Sequence, residues 1–181
     1  MARFDTQIQA ISGPCEGAMG LLETRPGVAR PTAEMIVAEI GTEMSRVPSA
    51  DHVASWAGVA PGNHESAGKR TSGKTRQGHR FLRTVLVQAA HAAARTKGTY
   101  LSAQYRRLAT RRGKKRAIMA VAHSMLVMAY HMIQRQEPYR EAGADVFDRL
   151  QPDDTARRLV KRLEHLGYHV TLQSPSTDAL P

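Results

Sequence analysis

The sequence carries a single cysteine, Cys15, in 181 residues. One thiol cannot close an internal disulfide, and it has no metal-ligand partner at the usual spacings, so a reducing cytoplasm is the expected setting. Aromatic residues are scarce at 5%, while alanine and methionine fill many apolar positions, which favours helix packing over sheet. No apolar run approaches membrane-spanning length, and the opening MARFDTQIQ lacks the apolar stretch of a signal peptide, so no membrane is expected as a partner. Acids are the most unevenly missing class. Between positions 62 and 116 stand fifteen Lys and Arg residues against one acid, Glu65. Such a window repels itself unless something negative binds there. Within a chain of net charge +10 and pI near 10.4, it points to nucleic acid rather than to a merely solvated basic face.

What is present reads as mainly helical, an all-α chain. Residues 3–11 suggest a short helical piece, broken at Gly13-Pro14, with a second helix over 15–23. A Pro26-Gly27-Val28 turn follows, then PTAEMIVAEIG, with Pro31 suited to a first helical turn and Gly41 to a C-terminal cap. Helix, PGV turn and helix have the form of a helix-hairpin-helix, in which a glycine lets backbone N–H groups approach phosphates, here with Arg25 and Arg30 flanking Gly27. An ordinary helical hairpin fits the same residues. Ser49 can cap a short helix to residue 57, whose Trp56 is expected to anchor the core. Residues 58–78 read as a loop, and helices are expected over 79–96, 101–111 and 114–136. The last has Ile118, Val121, Ala122, Met125, Met128, Ala129 and Met132 at helical spacing, a core stripe rather than a ligand set. Beyond Pro138 the charge turns acidic, a final helix spans 155–166, and YHVTL is strand-like before a frayed tail.

The residue pattern excludes several chemistries. Eight scattered histidines form no HExxH motif and no Cys/His cluster, and His123, near the buried face of its helix, reads as a satisfied core histidine. A two-metal nuclease needs three or four converging carboxylates, and the basic window has one acid. His64 and Ser66 lack a G-x-S-x-G elbow, and SGKT at 72–75 lacks the upstream glycine and preceding strand of a phosphate-binding loop. Ser66 remains as a candidate nucleophile on a phosphodiester, in a loop whose small residues permit close approach and whose cations would stabilise charge on the attacked phosphorus. Lys69, Arg70, Lys74, Arg76, Arg80 and Arg83 could hold phosphates around it.

Four ordered blocks sharpen this reading: LLETRPGVARPTAEMIVAEIG, VASWAGVAPGNHESAGKR, QGHRFLRTVLVQAAHAAAR and RRGKKRAIMAVAHSMLVMAYHMI. Together they resemble the C-terminal domain of the DEDD transposases of insertion-sequence family one-ten, relatives of the pilin-gene invertase and known as bridge-RNA-guided recombinases. The ending RRLVKRLEHLGYHVTL resembles an actinobacterial branch. The resemblance implies a serine-bearing helical domain over 14–136, its helix-hairpin-helix-like start at 14–41, preceded by the end of a helical linker at 1–13. A C-terminal extension at 137–172 and a disordered tail at 173–181 would follow. It also implies that Ser66 is the nucleophile of strand exchange, with Gly68 and Lys69 completing its loop. Implied partners are DNA, a guide RNA and further copies of the chain. The implied cofactor is Mg2+ in a RuvC-like domain, with no metal held by this chain. Ala67 departs from the glycine expected there, and the four metal-binding acids expected upstream are missing, as in a truncated transposase. The rival expectations are a catalytically inert helix-hairpin-helix module that binds nucleic acid and, more weakly supported, a basic RNA-associated structural protein.

Overall fold

Glycine and proline punctuation cuts the chain into helices whose apolar faces recur every three to four residues, and burying those faces on one another gives the fold. The computed structural model describes residues 13–62 and 64–173, with only the backbone at residues 64, 65, 70 and 71. The expected helical linker therefore lies almost wholly outside the described residues, as does nearly all of the expected tail. The chain divides into two units, one running to Ala144 and one from Asp145.

The first unit is built on helices α1 (Glu16–Glu23), α2 (Arg30–Ile40), α3 (Ala50–Trp56), α4 (Arg80–Arg95), α5 (Tyr100–Arg112) and α6 (Lys114–Arg135). Helix α6 is its axis: Ile118, Val121, Ala122, Met125, Leu126, Ala129 and Ile133 are buried and packed against the helices around them. Each large apolar side chain removed from water in this way contributes about 1.5–3 kcal/mol. The methionine stripe thus serves the core through Met125 and Met132. By length and composition α6 could cross a bilayer, but 56% of its apolar window is buried inside the fold. Ser49 caps α3 by accepting from the His52 amide at 3.3 Å, and Thr99 caps α5 by accepting from the Ser102 amide at 3.3 Å.

The segment expected to be an irregular loop contains a hairpin, β1 (His64–Ser66) and antiparallel β2 (Lys69–Ser72). Ala67 and Gly68 turn it, both at positive φ (49° and 74°), as the right-handed strand twist of a two-residue hairpin requires. A bulge between His64 and Glu65 shifts the register, so that Glu65 faces Arg70 and His64 faces Ser72. The base of this excursion is pinned. Gly58 and Gly78 meet backbone to backbone, so closely that a Cβ on Gly78 would stand 2.1 Å from the Gly58 nitrogen. The His79 amide donates to the Trp56 carbonyl at 3.1 Å beside them.

The second unit consists of α7 (Val146–Leu150) and α8 (Pro152–His165). Pro152 opens α8, Asp153 and Asp154 sit in its first turn, and Arg162 and His165 in its last, the order that the helix dipole favours. The strand-like YHVTL is irregular instead: residues 168–172 pair with no strand, and an isolated extended segment has no ladder to stabilise it.

Candidate nucleic-acid interface

Ser66 closes β1 immediately before the turn, exposed, with Lys69 opposite it across the strand pair. Gly68 has open space on the side where a Cβ would project, so the turn presents bare backbone to solvent. Ala67 holds a positive φ that costs an L-residue about 1 kcal/mol or more, which is the physical content of its departure from glycine. Lys69, Lys74 and Arg76 are exposed, as is Arg80 at the start of α4, whereas the Arg70 side chain lies outside the described part of the hairpin. Arg83 is a brace. It donates to the Arg76 carbonyl and to Thr75 Oγ1, both at 3.1 Å, and so ties the returning arm of the loop to α4.

The PGV turn between α1 and α2 departs from the phosphate-binding expectation at its three nominated residues. Gly27 (φ 84°) faces inward, where a Cβ would lie 2.6 Å from the Ala89 carbonyl oxygen and 2.7 Å from the Ala93 nitrogen. The glycine lets α4 pack against the turn, leaving no room for a phosphate on that side. Arg25 is 1% exposed and donates through Nη1 to the Met125 carbonyl in the middle of α6. Burial away from water, offset in part by the nearby Tyr139, draws its guanidinium down to about 10, so it stays charged at neutral pH inside the core. Arg30 is held by carboxylates: Glu16 at 2.5 Å, Glu34 at 3.0 Å and Glu23 at 3.8 Å. These partners raise its already high pKa, and its hydrogen bond lowers that of Glu16.

Trp56 also departs from expectation. It is 47% exposed and stacks on His79, ring centroids 5.0 Å apart and planes 12° from parallel. His79 accepts from the Leu82 amide as the cap of α4 and lies 3.5 Å from Glu39, so the stack serves the pinned base of the loop rather than the interior. An alanine-rich short helix gave no sign of which face turns outward.

Between the arm that follows β2 and the α5–α6 pair lies a cleft of about 870 Å³. Lys74, Arg112, Lys115 and Arg116 contribute cations, Ser72 and Thr75 hydroxyls, and among the described residues no lining residue is acidic. Leu108, Met119 and Val59 provide apolar wall, and His123 completes the lining. His123 is half-buried, and its Nδ1 is enclosed without a hydrogen-bond partner among the described residues, where the sequence suggested a satisfied core histidine. Burial lowers its pKa, with Asp51 opposing, which favours the neutral ring. Residues 111–116 are all exposed around Gly113, the turn from α5 to α6. The RRGKKR run had been visible as charge, but only the fold shows that it borders a cleft. Among the described residues there is no group of three or more His, Cys, Asp or Glu that could hold a metal ion.

Comparison with known proteins agrees with the resemblance. The chain is 27% identical over 141 residues to the transposase for insertion sequence element IS1111A of Coxiella burnetii, covering 76% of this chain and 38% of that protein. It is 29% identical over 122 residues to the pilin gene-inverting protein of Moraxella bovis, covering 66% of this chain and 38% of that one, and equally to the counterpart from Moraxella lacunata. The chain thus corresponds to about two fifths of the length of these relatives. The sequence model of the Transposase IS116/IS110/IS902 family matches residues 19–106, a span holding the PGV turn, the pinned hairpin with Ser66, and α4. Across that span, just under half of its length, this chain is similar to the Transposase IS116/IS110/IS902 family.

Proposed function

We propose that this chain is the serine-bearing, DNA-binding domain of a transposase, and that Ser66 attacks a DNA phosphodiester. The observation that carries the reading is the family match across residues 19–106, which encloses an exposed serine beside a two-residue turn and opposite Lys69. The hydroxyl oxygen would form a bond to phosphorus while the bond to one sugar oxygen breaks. The serine proton passes to solvent base, and the freed sugar oxygen takes up a proton. Attack by the hydroxyl of a second strand on the phosphoserine would reverse these steps and join the new partner. Lys69, opposite Ser66, would stabilise charge on the phosphoryl oxygens, and the hairpin springs from a base where the Gly58 and Gly78 backbones pack together. Metal-binding carboxylates for strand exchange would come from outside the described residues, in the remaining portion that the longer relatives possess. We place the activity in the cytoplasm, associated with the nucleoid when bound to DNA, with a guide RNA and further copies of the chain in the active complex.

The test is a nicked suicide substrate incubated with the chain, Mg2+ and the remaining portion of a full-length family member supplied in trans. Wild type should yield a covalent protein–DNA adduct, and Ser66→Ala should yield none while DNA affinity changes by less than about twofold, since a hydroxyl is not a phosphate-binding charge. Adducts that persist in Ser66→Ala overturn the nucleophile. Tight DNA binding with no wild-type adduct supports the inert binding module in its place.

A further inference from the structure

We propose that the cleft between the arm after β2 and the α5–α6 pair is a site for an unpaired nucleotide segment, its phosphates on Lys74, Arg112, Lys115 and Arg116 and a base against Leu108 and Met119. This rests on the reading of the chain as a nucleic-acid-binding domain and adds where, and in what form, the strand is held.

Three independent features converge on that occupant. The first is charge: four cations border one cleft, and among the described residues no acid lines it and none of the four makes an ion pair. Such a set repels itself until a polyanion neutralises it. The second is shape. A cavity of about 870 Å³ falls in the range of roughly 300–1,000 Å³ typical of sites for single small molecules, which suits a nucleotide but not a duplex. The third is the mixed wall. Duplex-binding surfaces need only cations, whereas single strands are held by cations together with flat or apolar surface for the bases, and Leu108, Met119 and Val59 supply it here. His123 adds an imidazole whose lowered pKa favours the neutral form at the same wall, with a buried Nδ1 unmatched among the described residues.

The location links the cleft to the proposed chemistry. Ser72 lines the cleft at one end of β2, and Lys69, the partner of Ser66, starts its other end. They stand three residue steps apart along the strand, roughly 10 Å at the rise of an extended chain. A strand seated in the cleft therefore runs within a few nucleotides of the serine. An unpaired stretch beside the attacked phosphodiester is what exchange between two duplexes must create.

The experiment uses the full chain, a fluorescein-labelled oligothymidylate and a labelled duplex of equal length, titrated by anisotropy across a salt series. Lys115→Ala/Arg116→Ala should weaken oligothymidylate binding by about tenfold or more and reduce the salt slope by about one per removed cation. Ala120→Phe fills the cleft without changing charge; it should lower oligothymidylate affinity at least fivefold and leave the duplex within about twofold. Arg95→Ala/Lys97→Ala, exposed cations away from the cleft, is the matched control, and circular dichroism checks that each variant folds. Photocrosslinking an oligonucleotide carrying 5-iodouracil should label the peptide that holds Met119 and His123. If wild type binds neither probe, the nucleic-acid reading itself fails. If wild type binds but Ala120→Phe leaves oligothymidylate binding intact, or the crosslink maps elsewhere, the cleft assignment falls while DNA binding stands.

Discussion

Two helical hairpins in the first unit have nearly the same plan and opposite fates. In α1–turn–α2, Gly27 lies between Arg25 and Arg30; in α5–turn–α6, Gly113 lies between Arg112 and Lys114, with Arg111, Lys115 and Arg116 beyond. The first has its glycine packed on α4, one arginine in the core and the other held by three glutamates. The second has a glycine with nothing within 4 Å of a would-be Cβ and exposed cations on both sides. A glycine flanked by arginines is therefore no guide to phosphate binding by itself. What separates the two is the company they keep: acids at Glu16, Glu23 and Glu34 neutralise the first, and α5 together with the start of α6 offers none to the second.

The sharpest way to break this comparison is at the two glycines. Gly27→Ala should destabilise the domain by about 4 kcal/mol or leave it unfolded, because a positive φ and a clash with the α4 backbone act together. Gly113→Ala keeps the strained φ of 84° but meets open space, so about 1–3 kcal/mol is expected in a urea melt. Equal losses at both would mean that Gly27 does not pack as described.

The arginines give a smaller contrast. Arg25→Ala should cost about 2–4 kcal/mol, from the cavity and the deserted Met125 carbonyl, yet leave the salt slope of DNA binding unchanged. Arg25→Met should cost less, about 1–2 kcal/mol, since a side chain of similar bulk fills the cavity and only the Met125 carbonyl is deserted, while the buried cation it replaces has Nε and Nη2 without partners among the described residues. A lower salt slope in either variant would return Arg25 to the phosphate-binding surface.

The smallest effect concerns Arg30. Its hydrogen bond holds Glu16 below the usual carboxylate value, so the pair favours the folded state above the unfolded pKa and is lost as pH falls through the lower folded value. Both groups are solvated, so the change in stability should be slight, and the side-chain carboxyl shift of Glu16 in an NMR titration is the suitable measure. A Glu16 midpoint at the ordinary value would show that the ion pair does not persist in solution.

Much of the architecture was legible in particular residues. Ser49, Pro31, Gly41 and Gly113 bound helices where local backbone chemistry says they should, and the apolar stripe of α6 gave the core helix directly. Ser66 could be singled out because it stands in a basic window with small neighbours. The hairpin around it was missed: only Ala67-Gly68 between Ser66 and Lys69 marks the turn, and alanine is a poor signal for positive φ. Trp56 was misjudged because a seven-residue helix has too few apolar positions to fix its face.

By itself, then, the sequence determined the helices, the central core stripe, the basic window and the family relationship, since propensity, periodicity, charge count and ordered motifs are properties of the chain. Tertiary structure alone decided which cations face solvent. Arg25 and Arg116 are alike in a sequence, but one is enclosed by α6 while the other borders an open cleft, and that difference arises from long-range packing that no local pattern encodes. The meeting of Gly58 with Gly78 is of the same kind: two glycines twenty positions apart become a hinge-pin only when the fold brings their backbones into contact.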